Sequence, residues 1–200
     1  QPYVNTEHLF DFSQKFLDEY FPHCIEMARA FVQPKYQSAQ AGRKALFALD
    51  NLWDGIGGLV ATDPNVKYLS GKVTIYSSSP ELSRKAMIYY LDMCFGDREG
   101  LITSKNPELW TPEQGEMLKE MFTGADYKEN YQILNNYVKS FGDTIPPLIH
   151  SYIGLSSTMK TFGTTFDPDF GDCYDTAMII TIDDIYQEKR ERYIESYHKN

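Results

Sequence analysis

A strand–loop–helix–strand unit between Cys24 and Tyr76 constrains the fold of this chain more than any other feature. The residue pattern predicts, in order, a strand over Cys24–Val32, a loop over Pro34–Lys44, a helix over Ala45–Ala61 and a strand over Lys67–Tyr76. Two strands joined through a helix are expected to be parallel neighbours with a right-handed crossover. The gap between such strands is a natural place for a ligand. The unit therefore predicts an α/β fold with its binding slot at these two strands.

The loop before the predicted helix has the features of an anion site. The first N–H groups of a helix have no partner inside the helix and readily bind anions. Gly42 allows the backbone to approach a ligand closely, and Arg43 and Lys44 lie where acidic residues are usually preferred. The alternative is a solvated loop whose cations have no ligand, since a single glycine-containing loop is a weak motif.

Glu26 and Arg29 are the candidate catalytic residues of the first strand. In a regular strand, residues three apart point to opposite faces. A β-bulge between them would bring both side chains toward one cleft. The alternative is that each side chain is satisfied separately at the end of the strand.

The remaining pattern is mainly helical and then returns to strands. Residues 96–111 are predicted to be a loop, and a serine of Ser77–Ser79 is expected to cap the helix that follows the second strand, with Pro80 in its first turn. The other predicted elements are a helix over Phe10–Tyr20, a helix from Ser77 to Phe95, a helical pair inserted at about 112–141, a helix over Leu148–Leu155, strands over Lys160–Phe166 and Tyr174–Asp183, and a charged helix over Asp184–Asn200.

Composition excludes several classes of function. The formal net charge of -9 makes nucleic acid an improbable partner, because phosphate binding needs clustered cations. Three widely spaced cysteines indicate a reducing compartment rather than a disulfide framework. The sequence contains no run of eighteen apolar residues and no recognisable signal peptide. We therefore expect a cytoplasmic protein.

No metal site is predicted. The four histidines lack metal-ligand spacing. The segment Asp167–Asp172 resembles half of a calcium loop, but Met178 stands where the last acidic ligand would be. We interpret this segment as a turn.

Several stretches in one order carry a resemblance to a known family. They are IEMARAFVQPKYQ, LDNLWDGIGGLV, YLSGKVTIY, IPPLIHSYIGLS and FDPDFGD. Together they resemble the hemolysin-like branch of the GNAT superfamily, which includes bacterial N-acyltransferases that make ornithine and glycine lipids. The glycine-lipid type of Bacteroidetes is the most similar, and acyl-homoserine-lactone synthases share the Glu-x-x-Arg pattern that Glu26 and Arg29 match.

The resemblance implies a GNAT-like three-layer fold in which the central parallel strands splay around pantetheine. It implies a single domain over 1–200, the C-terminal portion of such a fold, with the N-terminal part missing and a helical insert at about 112–141. It also implies the transfer of a fatty acyl group, often 3-hydroxylated, from the phosphopantetheine of acyl carrier protein (or from acyl-CoA) to an amino-acid amine. The partners would be the carrier, the acceptor and the membrane surface, as a peripheral contact.

The resemblance also assigns roles to residues. Glu26 would accept the proton of the amine, and Arg29 would hold the acceptor carboxylate or the pantetheine arm. The donor would contact Phe31, Val32, Gln37, Ser38, Ala41, Gly42, Arg43 and Lys44, and the acceptor would contact Lys72, Thr74 and Tyr76. Two alternatives remain open from the sequence: a non-catalytic acyl-carrier or lipid-binding module, and an acetyltransferase that uses acetyl-CoA.

Overall fold

Helices pack on a mixed sheet in the computed structural model, which describes residues 6–28, 33 and 43–199, without the side chains of 43–50, 198 and 199. The strands are β1 (Phe10–Phe12), β2 (Cys24–Met27), β3 (Tyr68–Ile75), β4 (Ile102–Ser104), β5 (Lys160–Asp167) and β6 (Cys173–Thr181). The α-helices are α1 (Arg43–Thr62), α2 (Glu81–Phe95), α3 (Pro112–Met121), α4 (Tyr127–Ser140), α5 (Pro147–Ile153) and α6 (Gln187–Tyr193).

The larger sheet has the strand order β2-β3-β6-β5. β2 and β3 are parallel, with Glu26 opposite Ser70 and Met27 opposite Gly71. β6 pairs with β3 and β5 in antiparallel register. The parallel pair and the crossover through α1 confirm the predicted α/β unit, and the whole arrangement agrees with the predicted GNAT-like α+β fold.

Each face of the sheet has its own hydrophobic cluster. Leu69, Val73 and Ile75 alternate along β3 and pack with α1 and α2 in the larger cluster. The opposite face is covered by the N-terminal segment and β4, in a smaller cluster of buried residues: Leu9, Phe10, Phe16, Leu101, Ile102, Phe162, Ala177 and Ile179. This second face also carries the even-numbered, more polar side chains of β3.

Most of the predicted elements are present. α1, β3, α2, α5, β5 and β6 lie within a few residues of their expected positions. Two helices, α3 and α4, occupy the region predicted as a helical pair. Among the described residues, no helix combines the length and apolar character needed to cross a membrane.

The prediction was wrong at two short strands. Phe10–Phe12, expected as the start of a helix, form β1 and pair antiparallel with β4 inside the predicted loop 96–111. A strand of three residues is too short to be predicted from its periodicity. β1 forms because it pairs with β4, about ninety positions away in sequence. Phe10 is 1% exposed, and its burial explains why this segment is extended. After it the chain makes a π-helical turn over Phe16–Tyr20 and a 3₁₀ turn over Phe21–His23.

The other differences from the prediction concern the residues at which helices and strands begin and end. Arg43 and Lys44, predicted as loop residues, lie in the first turn of α1. Pro80 takes the N-cap position of α2, so no serine side chain caps this helix as predicted. The predicted C-terminal helix is divided into α6 and a 3₁₀ turn over Glu195–Lys199. β2 ends at Met27, and positions 29–32 of the predicted strand lie outside the described residues.

Candidate active site

A cavity lies where β2 meets β3, beneath the N-terminal segment. Its volume is about 30 Å³, which is room for roughly two water molecules. The wall contributed by the N-terminal segment and β4 is mostly aromatic and aliphatic, and the sheet contributes several polar groups. The lining residues are Thr6, Phe12, Phe16, Phe21, Cys24, Glu26, Ser70, Gly71, Ile102, Ala177 and Met178.

Glu26 provides the carboxylate of this cavity. Its register opposite Ser70 places both side chains on the face covered by the N-terminal segment. The hydroxyl of Thr6 donates a hydrogen bond to Oε1 of Glu26 at 3.3 Å. Burial raises the pKa of the neighbouring Cys24 thiol, although Ser70 offsets this by hydrogen bonding. At neutral pH Cys24 is therefore a protonated thiol beside a carboxylate, which is unfavourable for a nucleophilic role.

β3 continues past the end of its pairing with β2. The last pair is Met27 with Gly71, whereas β3 runs on to Ile75. Among the described residues, no strand pairs with β3 beyond Gly71 on this side. A Cβ at Gly71 would lie 3.2 Å from the Met27 carbonyl oxygen and 3.3 Å from the Tyr152 hydroxyl. Burial raises the pKa of Tyr152 to about 12, so a neutral phenol lies beside the last described pair of β2 and β3.

A second polar group lies further along the same face, on β3, β5 and β6. The ammonium of Lys72 hydrogen-bonds to Asp175 and lies 3.5 Å from Oδ2 of Asp167. Thr74 donates to Oδ1 of Asp175 at 2.6 Å. The side chain of Lys72 is 22% exposed, and the two carboxylates are 0% and 2% exposed. The ring of Phe170 lies 5.4 Å from the ammonium.

This group contains the three side chains that could ligate a metal within the described part of the chain. Ligand atoms of Asp167, Cys173 and Asp175 all lie within 4.8 Å of one another. Lys72 already supplies a positive charge to both carboxylates. Burial raises the pKa of the Cys173 thiol to about 11, so this sulfur is protonated at neutral pH. These features favour an internal ion pair over a metal site.

The structure therefore places only some of the predicted site residues at the cavity. Glu26 lines the cavity, whereas Lys72 and Thr74 bind Asp175, and Tyr76 is 63% exposed at the end of β3. For Arg43 and Lys44 the structure describes only the backbone, which lies in α1. The predicted donor and acceptor contacts that lie outside the described residues are Arg29, Phe31, Val32, Gln37, Ser38, Ala41 and Gly42.

Two features of this face were not predicted from the sequence. Thr6 lies in a segment without a motif, and only its position after folding brings it to Glu26. Asp175 carried a usable signal, because it is a carboxylate within the otherwise apolar segment CYDTAMII. Such a residue is expected to need a buried cation, and Lys72 on the neighbouring strand is that cation.

Comparison with known proteins places these observations in a family context. Over all 200 residues the chain is 46% identical to a protein of Phocaeicola vulgatus named glycine N(alpha)-acyltransferase. Over 196 residues it is 45% identical to a Bacteroides thetaiotaomicron protein of the same name. The chain is homologous to these glycine N(alpha)-acyltransferases. It spans 61% and 58% of their respective lengths. No family model and no solved structure matches the chain.

The name of these two relatives agrees with the glycine-lipid type of Bacteroidetes that the sequence motifs resemble. At this level of identity over the whole chain, the relatives share its fold. The cavity at β2 and β3 therefore lies within the homologous region, together with the Lys72–Asp175 ion pair.

Proposed function

We propose that this chain is part of an N-acyltransferase that moves a fatty acyl group, 3-hydroxylated in the expected donor, from acyl carrier protein to the amine of glycine or ornithine. The identity to two proteins named glycine N(alpha)-acyltransferase carries this proposal and favours glycine. The product would be an acylated amino acid used in aminolipid synthesis. The enzyme would work in the cytoplasm at the inner surface of the membrane.

Glu26 is the proposed general base. An amino-acid amine with a pKa near 8–10 is mostly protonated at neutral pH and must lose a proton before or during attack. The amine nitrogen forms a bond to the thioester carbonyl carbon, and Glu26 takes the proton directly or through a water molecule. The carbon–sulfur bond then breaks, and the leaving pantetheine sulfur receives the proton that Glu26 took from the amine, so that it departs as a thiol. The position of the carboxylate in a largely apolar cavity supports this role.

The donor is proposed to lie along β2 and β3, near their last described pair, Met27 with Gly71. β3 runs on to Ile75 beyond its last described pair with β2, and a backbone N–H there could polarise the thioester carbonyl, as in an oxyanion hole. The aromatic wall of the cavity suits the acyl chain. Gln37, Ser38, Gly42, Arg43 and Lys44 are proposed to bind the pantetheine phosphate at the start of α1.

The acceptor side of the site is proposed from the resemblance and the open end of the sheet. Arg29 would hold the acceptor carboxylate, because a guanidinium binds a carboxylate through two parallel hydrogen bonds. Lys72 and Thr74, which are both bound to Asp175, would contact the acceptor from β3. Tyr76 is exposed and would contact it from the end of β3.

The first test uses the full-length protein with 3-hydroxyacyl carrier protein, 3-hydroxyacyl-CoA and acetyl-CoA as separate donors. Each donor is incubated with a panel of free amino acids, and N-acylated products are identified by mass spectrometry. We expect N-acylglycine from the carrier-bound donor. Product from acetyl-CoA alone would indicate an acetyltransferase. Carrier binding without any product would indicate a non-catalytic binding module.

Glu26→Gln tests the assignment of the base. We expect kcat to fall about 10²–10⁴-fold, the usual contribution of a general base, while the dissociation constant of the donor carrier stays within twofold. Glu120→Gln, on the exposed face of α3, is the matched control and should leave kcat unchanged. Equal losses of kcat and donor binding in Glu26→Gln would contradict the role as base.

A further inference from the structure

Ser70 places a hydroxyl on the sheet side of the cavity, between a carboxylate and an aliphatic side chain. It lies on β3 opposite Glu26 of β2, and on its other side it is opposite Ile179 of β6. Residues in register share a face of the sheet, and neighbouring strands are about 4.8 Å apart. The order across this face is therefore carboxylate, hydroxyl and aliphatic group, one strand spacing from each to the next.

The surface on the far side of Ser70 from Glu26 is apolar. Ile179 is 3% exposed, and Ala177, the next residue of β6 on the same face, is 6% exposed and lines the cavity. Both belong to the smaller hydrophobic cluster with Phe16 and Ile102, which line the cavity from the N-terminal segment and β4. Burial of apolar surface is favourable in such surroundings. This side of Ser70 therefore suits a hydrocarbon chain.

The hydroxyl of Ser70 has hydrogen-bonding capacity for a ligand. Its described partner is the thiol of Cys24, which lies two residues before Glu26 on β2. A serine hydroxyl has one donor and two acceptor positions, so a single neighbour does not saturate it. Ser70 is half-buried and lines the cavity. A molecule in the cavity can therefore reach this hydroxyl.

A 3-hydroxyacyl group carries its own groups in the same order. The amine attacks the carbonyl carbon, the hydroxyl is on the second carbon beyond it, and the hydrocarbon tail continues from that carbon. With carbon–carbon bonds of about 1.5 Å, the hydroxyl oxygen lies about 3–4 Å from the carbonyl carbon. This is less than one strand spacing. A donor whose carbonyl carbon lies beside Glu26 can therefore bring its hydroxyl to Ser70 and its tail to Ala177 and Ile179.

We propose that Ser70 selects 3-hydroxylated acyl donors by hydrogen-bonding to their 3-hydroxyl group. The inference rests on the proposed acyl transfer and deepens it, since it names the residue that distinguishes two classes of acyl donor. A donor without the hydroxyl would leave Ser70 with one hydrogen bond fewer in a desolvated cavity, which lowers affinity. Sites that hydrogen-bond a substrate hydroxyl reject the analogue without it more strongly than an apolar pocket discriminates by size.

The test uses the full-length protein with glycine and an equimolar mixture of two carrier-bound donors. The donors have one chain length, and only one of them is 3-hydroxylated, so the ratio of the two products by mass spectrometry gives the ratio of kcat/KM. We expect the wild type to favour the hydroxylated donor about tenfold or more, the effect of one hydrogen bond in a desolvated site. Ser70→Ala should bring the ratio to within about twofold of one by lowering kcat/KM for the hydroxylated donor alone. Ser70→Thr, which keeps the hydroxyl, should retain the preference.

Three results would overturn the proposal. They are a wild type without a preference, a preference that persists in Ser70→Ala, and an equal loss of kcat/KM for both donors in Ser70→Ala, which would assign Ser70 to packing.

Binding separates this inference from the proposed function. If the full-length protein forms no product, the proposed transfer fails, and isothermal titration calorimetry with the two donor carriers decides the role of Ser70. Tighter binding of the hydroxylated carrier that is lost in Ser70→Ala would support the inference. Equal binding of the two carriers by the wild type, or binding of neither, would overturn it.

Discussion

Lys72 connects two buried carboxylates on neighbouring strands. Asp175 lies opposite Thr74 on β6, so the ammonium reaches it diagonally across the pair and also approaches Asp167. One cation and two carboxylates leave the group with a net negative charge. Burying a carboxylate without a partner costs free energy of folding. The main effect of the ion pair is therefore to offset the cost of removing these carboxylates from water.

Lys72→Met is therefore expected to destabilise the fold strongly. The change leaves two buried carboxylates without their cation and should lower the free energy of unfolding by about 3–5 kcal/mol at pH 7. Urea denaturation measures the difference. Lys119→Met is the matched control, since its ion pair with Glu116 on α3 is 69% and 70% exposed and should contribute under about 0.5 kcal/mol. Similar values for both variants would mean that the Lys72 ion pair adds nothing to stability.

Glu99 links three separate parts of the chain through charge. Hydrogen bonds from Lys15 and Lys160 lower the pKa of this exposed carboxyl from 4.5 to about 2. A carboxyl whose pKa is lowered by folding contributes stability above its unfolded pKa and loses it as the pH falls through the folded value. The contribution of this contact should therefore disappear between about pH 4.5 and pH 2.

Carboxyl ¹³C NMR tests this value residue by residue. The Glu99 signal should titrate with a midpoint near pH 2 in the wild type. In Lys15→Met the midpoint should rise toward the ordinary value of 4.5, because Lys15 supplies the largest of the lowering contributions. Lys119→Met should leave it unchanged. A wild-type midpoint already near 4.5 would show that the N-terminal segment is not attached to the sheet through this carboxyl.

At the scale of elements, α1 and the C-terminal segment pack with almost no space between them. A Cβ at Gly57 would overlap the carbonyl oxygen of Tyr193, and one at Gly58 would lie 2.7 Å from the ring of Tyr197. The first contact is with backbone, which cannot rotate away. The close approach of α6 to α1 therefore requires a glycine at position 57.

Gly57→Ala and Gly55→Ala form a matched pair on one helix. Gly57→Ala must displace α6 and should lower the free energy of unfolding by about 1–3 kcal/mol. Gly55→Ala meets no atom within 4 Å and should raise stability by about 0.5–1 kcal/mol through helix propensity. Thermal unfolding of both variants measures these effects. Stabilisation by both substitutions would contradict the packing of α6 on α1.

At the scale of the whole molecule, the two faces of the sheet differ in polarity and in what covers them. One face packs against α1 and α2 and forms the larger hydrophobic cluster. The other carries Glu26, the cavity and the Lys72–Asp175 ion pair beneath the N-terminal segment. In the proposed enzyme, the acyl chain would enter from the second face, where the cavity is small and its walls are aromatic.

Ala177→Leu tests whether this cavity receives the acyl chain. Ala177 is 6% exposed and lines the cavity, so a leucine would fill space that the chain needs. In competition among carrier-bound acyl groups of different length, the products should shift toward shorter chains by mass spectrometry. Ala177→Ser keeps the size of the side chain and should leave the distribution as in the wild type. An unchanged distribution in Ala177→Leu would place the acyl chain elsewhere.

The sequence alone determined the elements that are long and periodic. The α1 stripe, the apolar alternation of β3 and the apolar run of β6 predicted their own structures, because each repeats one local preference over many residues. The order strand–helix–strand also predicted the parallel pair of β2 and β3, since a short crossover through a helix allows little else. The motifs in this unit, together with IPPLIHSYIGLS and FDPDFGD later in the chain, indicated the resemblance with which the names of the two relatives agree.

Only the tertiary structure decided which distant residues meet. β1 and β4 are three residues each, too short to be predicted from periodicity, and each is extended because the other is present. The contact of Thr6 with Glu26 and the ion pair of Lys72 with Asp167 and Asp175 join residues that no local pattern relates. Such contacts depend on strand register and on burial, which arise when the whole chain closes around its core.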